Sequence, residues 1–130
     1  MACATGAGLL SGRRILVVED EYYIAADLKR ALEEEAAIVV GPTGALAVAL
    51  DLAGSGALDA ANLDVNLEGE HVYPVADRLS SEAVPYLFLT GYDEWAMPER
   101  FRAAPRLAKP VPAAEVVDAA RALLADEVAG

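Results

Sequence analysis

With 130 residues the chain is long enough for one domain with a single real core. Although 55% of it is apolar, no apolar run reaches the roughly 18 residues needed to cross a bilayer. A net charge of −11 argues against nucleic acid or an anionic membrane as direct ligand, since both call for a basic face, and the single cysteine, Cys3, rules out an intrachain disulfide or a cysteine-based metal cluster.

Met1 to Gly12 is rich in Ala and Gly and lacks the basic start and apolar middle of a signal peptide, so it reads as a disordered leader on a soluble, cytoplasmic protein. Ile15-Leu16-Val17-Val18 is a run typical of a strand buried on both faces, and it ends abruptly in Glu19-Asp20-Glu21. The spacing of Ile24, Leu28 and Leu32 predicts a helix from about Tyr22 to Ala36. Ala37 to Val40 read as a second strand closed by Gly41-Pro42, with Thr43 as N-cap of a helix from about Gly44 to Ala53.

A third strand, about Leu58 to Leu63, breaks at Asp64 and gives way to a loop through Glu68-Gly69-Glu70; a third helix then runs to about Ser81. Pro85 starts a fourth strand, Tyr86-Leu87-Phe88-Leu89, which ends at Thr90-Gly91-Tyr92. From Asp93 to Pro105, the prolines at 98 and 105 leave room only for a short or irregular helix around Trp95, Met97 and Phe101. Arg106-Leu107-Ala108 is a short fifth strand before Lys109-Pro110, and a last helix covers about Ala113 to Asp126. No further domain is expected beyond 13–126.

Strands alternating with helices predict an α/β fold whose parallel sheet is covered on both faces, with every strand's carboxyl end on one edge. That edge collects Glu19 and Asp20, then Asp64, Thr90 and Lys109. Each alone is an ordinary turn, cap or surface residue; the joint pattern of three acids, a hydroxyl and a lysine points to chemistry. Carboxylates at close quarters repel and raise one another's pKa, and a hard divalent ion such as Mg²⁺ relieves this through oxygen ligands. Asp64 is then placed to attack a phosphoryl group as a carboxylate nucleophile, with the lysine neutralising phosphoryl oxygens. Thr90 offers a hydroxyl to the same oxygens, and Gly91 leaves room beside it. The chain has only two lysines, Lys29 and Lys109, against eight arginines, so a lysine at this edge carries weight.

In the order Val-Val-Glu-Asp-Glu at 17–21, Leu-Asp-Val-Asn-Leu at 63–67, Leu-Thr-Gly-Tyr at 89–92 and Lys-Pro at 109–110, the chain resembles the receiver domain of two-component response regulators over about Arg13 to Leu124. The resemblance implies a flavodoxin-like (βα)5 three-layer sandwich with a five-stranded parallel sheet of order 2-1-3-4-5. It implies that Asp64 takes a phosphoryl group from the phosphohistidine of a sensor histidine kinase or phosphotransfer protein, with slow autodephosphorylation and no separate enzymatic activity. Asp20, Asp64 and the backbone carbonyl of Asn66 would hold Mg²⁺, or Mn²⁺ in its place, and Glu19 would contribute through water. Thr90 would close onto the phosphoryl oxygens and Lys109 would pair with them, across a cis Lys109–Pro110 bond.

Val-Pro-Tyr-Leu-Phe-Leu-Thr-Gly-Tyr at 84–92 and Tyr73-Pro74-Val75-Ala76-Asp77 resemble the alphaproteobacterial stand-alone receivers called the FATGUY type, often partnered by kinases of the HWE class. Receivers commonly carry a switch aromatic three residues before the lysine; here that residue is Arg106, so the segment from Asp93 to Pro105 is expected to carry more of the conformational change. Asn66 and Tyr92 flank the acceptor and are candidates for tuning attack by water. His71 reads as a solvated loop residue, and Trp95 as either core or a partner-facing anchor. A haloacid-dehalogenase-type phosphatase would place its aspartyl nucleophile on the first strand, and a flavodoxin would need a phosphate-cradling loop where Glu19 and Asp20 stand. The second reading kept is a degenerate receiver that works only by protein contact.

Overall fold

In the computed structural model, which describes residues 7–91 and 97–129, the chain forms eleven strands and α-helices in order. These are β1 (Arg14–Val18), α1 (Tyr22–Glu34), β2 (Ile38–Thr43), α2 (Leu46–Ala53), β3 (Ala60–Asp64), β4 (Asn66–Leu67), β5 (Glu70–His71), α3 (Tyr73–Ser81), β6 (Tyr86–Thr90), β7 (Arg106–Ala108) and α4 (Ala113–Ala129). The main sheet has five parallel strands in the order β2-β1-β3-β6-β7, which is 2-1-3-4-5 when only its own strands are counted. This is the expected flavodoxin-like arrangement.

The period-2 alternation of side chains divides the core between the two faces of the sheet. Leu16, Val18, Leu63 and Phe88 pack with Val75 and Leu79 of α3 and Ala49 of α2 on one face. Ile15, Val17, Leu87 and Leu89 pack with Leu28 and Leu32 of α1 and Val116 and Leu124 of α4 on the other. Because β1 is followed by β2 on one side and joins β3 on the other, the connections leaving β1 and β3 diverge. In an open α/β sheet that point is where a crevice forms, and the acids stand there.

Several expectations need correction. The leader is not disordered as far as Gly12. Ala7–Leu10 form a 3-10 turn, Leu10 is fully buried in the α1/α4 cluster, and the Gly12 amide donates to the Ala36 carbonyl at 2.8 Å. Two adjacent leucines provide apolar area that offsets the cost of ordering the turn; residues 1–6 lie outside the described part. Thr43 does not cap α2 either. The second strand continues through Gly41-Pro42 to Thr43, with a register irregularity opposite Leu16 to Val18. Proline is tolerated there because β2 is an edge strand that does not need its amide for a second neighbour. Thr43 Oγ1 instead accepts the amide of Ala45 at 3.1 Å, and α2 begins at Leu46.

In the fourth connection, the described residues form a single 3-10 turn, Glu99–Phe101, directly after Pro98. Phe101 stacks on Tyr73 with ring centroids 5.1 Å apart and meets Phe88 edge-on at 5.6 Å. Arg100 forks onto Asp77 of α3 at 3.1 and 2.9 Å. Tyr92 and Trp95, and the expectations placed on them, lie outside the described residues. Among those described, no helix is long and apolar enough to cross a membrane.

Candidate functional site

Glu19 and Asp20 leave β1 directly after Val18, and Asp64 closes β3. One carboxylate oxygen from each of the three can be chosen so that all lie within 4.8 Å of one another. Glu19 and Asp64 are buried, at 3% and 4% exposure, although they are acids in a strongly acidic chain, so something must compensate them. Lys109, immediately after β7, supplies the compensation. Its Nζ lies 3.0 Å from Asp64 Oδ2 and 3.3 Å from Glu19 Oε2. Backbone amides complete the cage: that of Asn66 donates to Asp64 Oδ1 at 3.2 Å, and that of Glu21 to Glu19 Oε2 at 3.1 Å.

The electrostatics follow from this crowding. Glu19 is pushed up from the ordinary 4.5 to about 7, first by burial, then by a hydrogen bond and charge repulsion with Asp64; the Glu21 amide and Lys109 pull the other way. For Lys109, burial works against the charged form, but hydrogen bonding and attraction to Asp64 and Glu19 outweigh it and hold its pKa above the ordinary value. Lys109 is therefore an ammonium at neutral pH.

The remaining expected residues fall around this centre. Thr90 ends β6 and is buried, and its hydroxyl has no hydrogen-bond partner among the described residues. Its carbonyl accepts the Lys109 amide at 2.7 Å, which ties the ends of β6 and β7 together. The Lys109–Pro110 peptide bond is cis. Gly91 follows Thr90 with open space where a side chain would stand. Asn66 opens the hairpin β4–β5, pairing with His71, while Leu67 pairs with Glu70. His71 is exposed on that hairpin, its ring 5.2 Å from that of Tyr73. Arg106, at the start of β7, reaches the fourth connection through the Arg102 carbonyl at 2.8 Å and Met97 Sδ at 3.9 Å.

The donor set suits a hard divalent cation: three carboxylates in reach of one point, and a buried Glu19 Oε1 with no partner among the described residues. A cavity of about 820 Å³ opens beside the acids between α1 and the start of α2, giving a reactant access from solvent.

Sequence reasoning missed two residues here. Gly44 lies against Asp20. Asn62, two residues before Asp64 in β3, is buried, and both its side-chain amide atoms lack a partner among the described residues. By strand alternation it shares the face of Ala60, toward α1 and α4. An asparagine inside an apolar run gives a weak sequence signal, because the run reads as a strand with or without it. Asn62→Leu, close in size, is expected to raise the stability of the metal-free protein by about 1 kcal/mol, measured by urea denaturation. A loss of stability would mean that the amide is satisfied by buried water.

No family model matches the chain. Among solved structures it is similar to SdrG from Sphingomonas melonis Fr1, with 41% identity and a TM-score of 0.75 over 87% of this chain and 97% of that one. It matches the BeF3-activated conformation of SdrG, recorded from Pseudomonas melonis Fr1, at 40% identity and TM-score 0.72, over 88% of this chain and 98% of that one. The non-phosphorylated receiver domain of HemR from Leptospira biflexa matches at 26% identity and TM-score 0.73, over 86% and 94% of the two chains. Among curated proteins, the transcriptional regulatory protein PdtaR of Mycobacterium tuberculosis is 31% identical over 105 residues, 80% of this chain and 51% of that protein, so the chain spans about half the length of the curated relative it matches.

Proposed function

The chain belongs to the response regulator receiver family, and on that basis we propose that it accepts a phosphoryl group on Asp64 from the phosphohistidine of a sensor histidine kinase or phosphotransfer protein, in a Mg²⁺-dependent transfer. The observation that carries this reading is the position of Lys109 Nζ, 3.0 Å from Asp64 and 3.3 Å from Glu19, within a cluster of three carboxylates. A receiver that had lost its chemistry, the second reading, has no need to keep a buried acceptor, its companion acids and their lysine in contact.

Asp20, Asp64 and the Asn66 carbonyl would hold the cation, with Glu19 acting through water. When bound, Mg²⁺ supplies positive charge against which the carboxylates and the phosphoryl oxygens can approach each other. Asp64 attacks phosphorus, the bond from phosphorus to the donor imidazole nitrogen breaks, and the imidazole leaves as the acyl phosphate forms. Lys109 is released from its contact with Asp64 to pair with a phosphoryl oxygen, and the Thr90 hydroxyl, which has no partner among the described residues, donates to another.

The movement of Thr90 biases an equilibrium that changes a protein-binding face made by the fourth connection, β7 and α4. The described part of that connection rests on α3 through Arg100–Asp77 and Phe101–Tyr73, contacts that can break as a unit. Arg106 takes the place of the usual aromatic and ties β7 to this connection through the Arg102 carbonyl.

The test is incubation with phosphoramidate, with and without Mg²⁺, for wild type and Asp64→Asn, read by intact-protein mass. Wild type is expected to gain one phosphoryl group only with Mg²⁺, and Asp64→Asn none. Equal labelling of the two proteins, or none in wild type, would overturn the assignment.

A further inference from the structure

We propose that Gly44 is a positioning residue for Asp20, and that the absence of a side chain at 44 sets how tightly the site holds a divalent cation. The inference rests on the reading of Asp20 as a metal ligand.

Of the three acids, two are held by directed bonds. Glu19 accepts the Glu21 amide and Lys109, and Asp64 accepts the Asn66 amide and Lys109. Asp20 has no side-chain hydrogen bond or ion pair among the described residues, so its carboxylate is aimed by packing alone. The packing partner is the corner between β2 and α2. A Cβ placed on Gly44 would lie 2.6 Å from Asp20 Cα, 2.7 Å from its Cβ and 3.3 Å from its backbone nitrogen. These are stiff atoms rather than the tip of a flexible side chain, so one of the two segments would have to move.

The corner itself is well fixed. The Glu19 amide donates to the Thr43 carbonyl at 2.9 Å, and Thr43 Oγ1 accepts the Ala45 amide at 3.1 Å. On its other side Asp20 leads, one residue later, into the N-terminus of α1. Gly44 is not one of the glycines with positive φ, so its backbone conformation is open to any residue and only space demands glycine. A Cβ on Gly12, Gly56, Gly69 or Gly91 meets nothing within 4 Å, and the atoms nearest to one on Gly54 are those of the Arg78 guanidinium; one on Gly41 would also approach backbone, 3.0 Å from the Val17 carbonyl oxygen and 3.1 Å from the Thr43 nitrogen, but there φ is positive at 92°.

A ligand displaced by a few tenths of an ångström matters unequally to different ions. Mg²⁺ demands near-ideal octahedral bonds of about 2.0–2.1 Å, whereas Ca²⁺ accepts about 2.3–2.6 Å and irregular geometry. Gly44→Ala is therefore expected to weaken Mg²⁺ binding about ten-fold or more and Ca²⁺ binding by less, turning the site's preference toward Ca²⁺. Calorimetric titration of the full chain with each ion would read this, with Gly54→Ala as the control expected to match wild type. General loosening would weaken both ions alike, so an unchanged Mg²⁺-to-Ca²⁺ ratio in Gly44→Ala overturns the proposal, as do wild-type constants for both.

Should Gly44→Ala fail to fold, Thr43→Ala loosens the same corner without adding an atom next to Asp20. It is expected to lose Mg²⁺ affinity in the same direction while Thr43→Ser keeps it; equal affinities for the two would overturn the proposal. Failure of the wild type to bind Mg²⁺ removes the ligand reading and the proposal together, an outcome distinct from failure of the variants alone.

Discussion

Lys109→Met is expected to bind Mg²⁺ more tightly than wild type and yet to accept phosphoryl groups about a hundred-fold more slowly. The opposed signs follow from the two partners of one ammonium. Lys109 contacts Asp64 and Glu19 at 3.0 and 3.3 Å, and a cation entering the cluster must compete with it for the same oxygens. Methionine keeps most of the apolar stem and its packing but removes the competitor. It also removes the charge that would pair with a phosphoryl oxygen as the acyl phosphate forms, a contact strongest in the transition state and so felt in the rate. Without metal, the variant leaves buried carboxylates with no compensating cation and is expected to lose about 3 kcal/mol of stability at neutral pH. Calorimetric Mg²⁺ titration and the rate of labelling by phosphoramidate at saturating Mg²⁺ separate the two effects. Parallel loss of affinity and rate would show that Lys109 acts only to hold the acids in place.

What could be read from the residues, and what could not, divides along a physical line. The five sheet strands and their acidic or polar ends were legible because each is a short apolar run that stops at a residue unsuited to a core. Parallel topology then brings those stops to one edge whatever the loops do. The hairpin β4–β5 escaped because two-residue strands have no period to detect. Its turn, Glu68-Gly69 with both φ values positive (51° and 92°), lacks the Asn or Asp that usually announces a hairpin. Thr43 was misassigned because Gly-Pro ordinarily ends a strand, and nothing local reveals that β2 lies at the edge of the sheet. The burial of Leu10 and the approach of Gly44 to Asp20 are tertiary facts between segments far apart in sequence, beyond the reach of any pattern within one segment.

Raising the pH of the metal-free protein from about 4.5 to about 7 is expected to destabilise it, a trend that saturating Mg²⁺ should oppose. Glu19 has its folded-state pKa raised from 4.5 to about 7, chiefly by burial and next by Asp64, so between those values the folded protein binds a proton that the unfolded chain has released. Stability then falls with rising pH across that window, is undiminished below it and levels off above it. At about 1.4 kcal/mol per pKa unit the loss is at most about 3.5 kcal/mol. Burial sets the sign, and the groups facing Glu19 do not reverse it. Asp64 repels its charged form and shares its proton, while Lys109 and the Glu21 amide favour ionisation without reversing the shift. Mg²⁺ prefers the deprotonated cluster, so its binding should expel the proton and its affinity should climb over the pH range in which the metal-free fold weakens. Glu19→Gln imitates the protonated acid and removes the titration. Urea denaturation in the presence of chelator should therefore give a nearly flat profile for the variant across this window where wild type slopes downward, with the variant the more stable above pH 7. Parallel profiles for the two proteins would mean that Glu19 is already ionised in the metal-free fold and that Lys109 alone keeps the acids together.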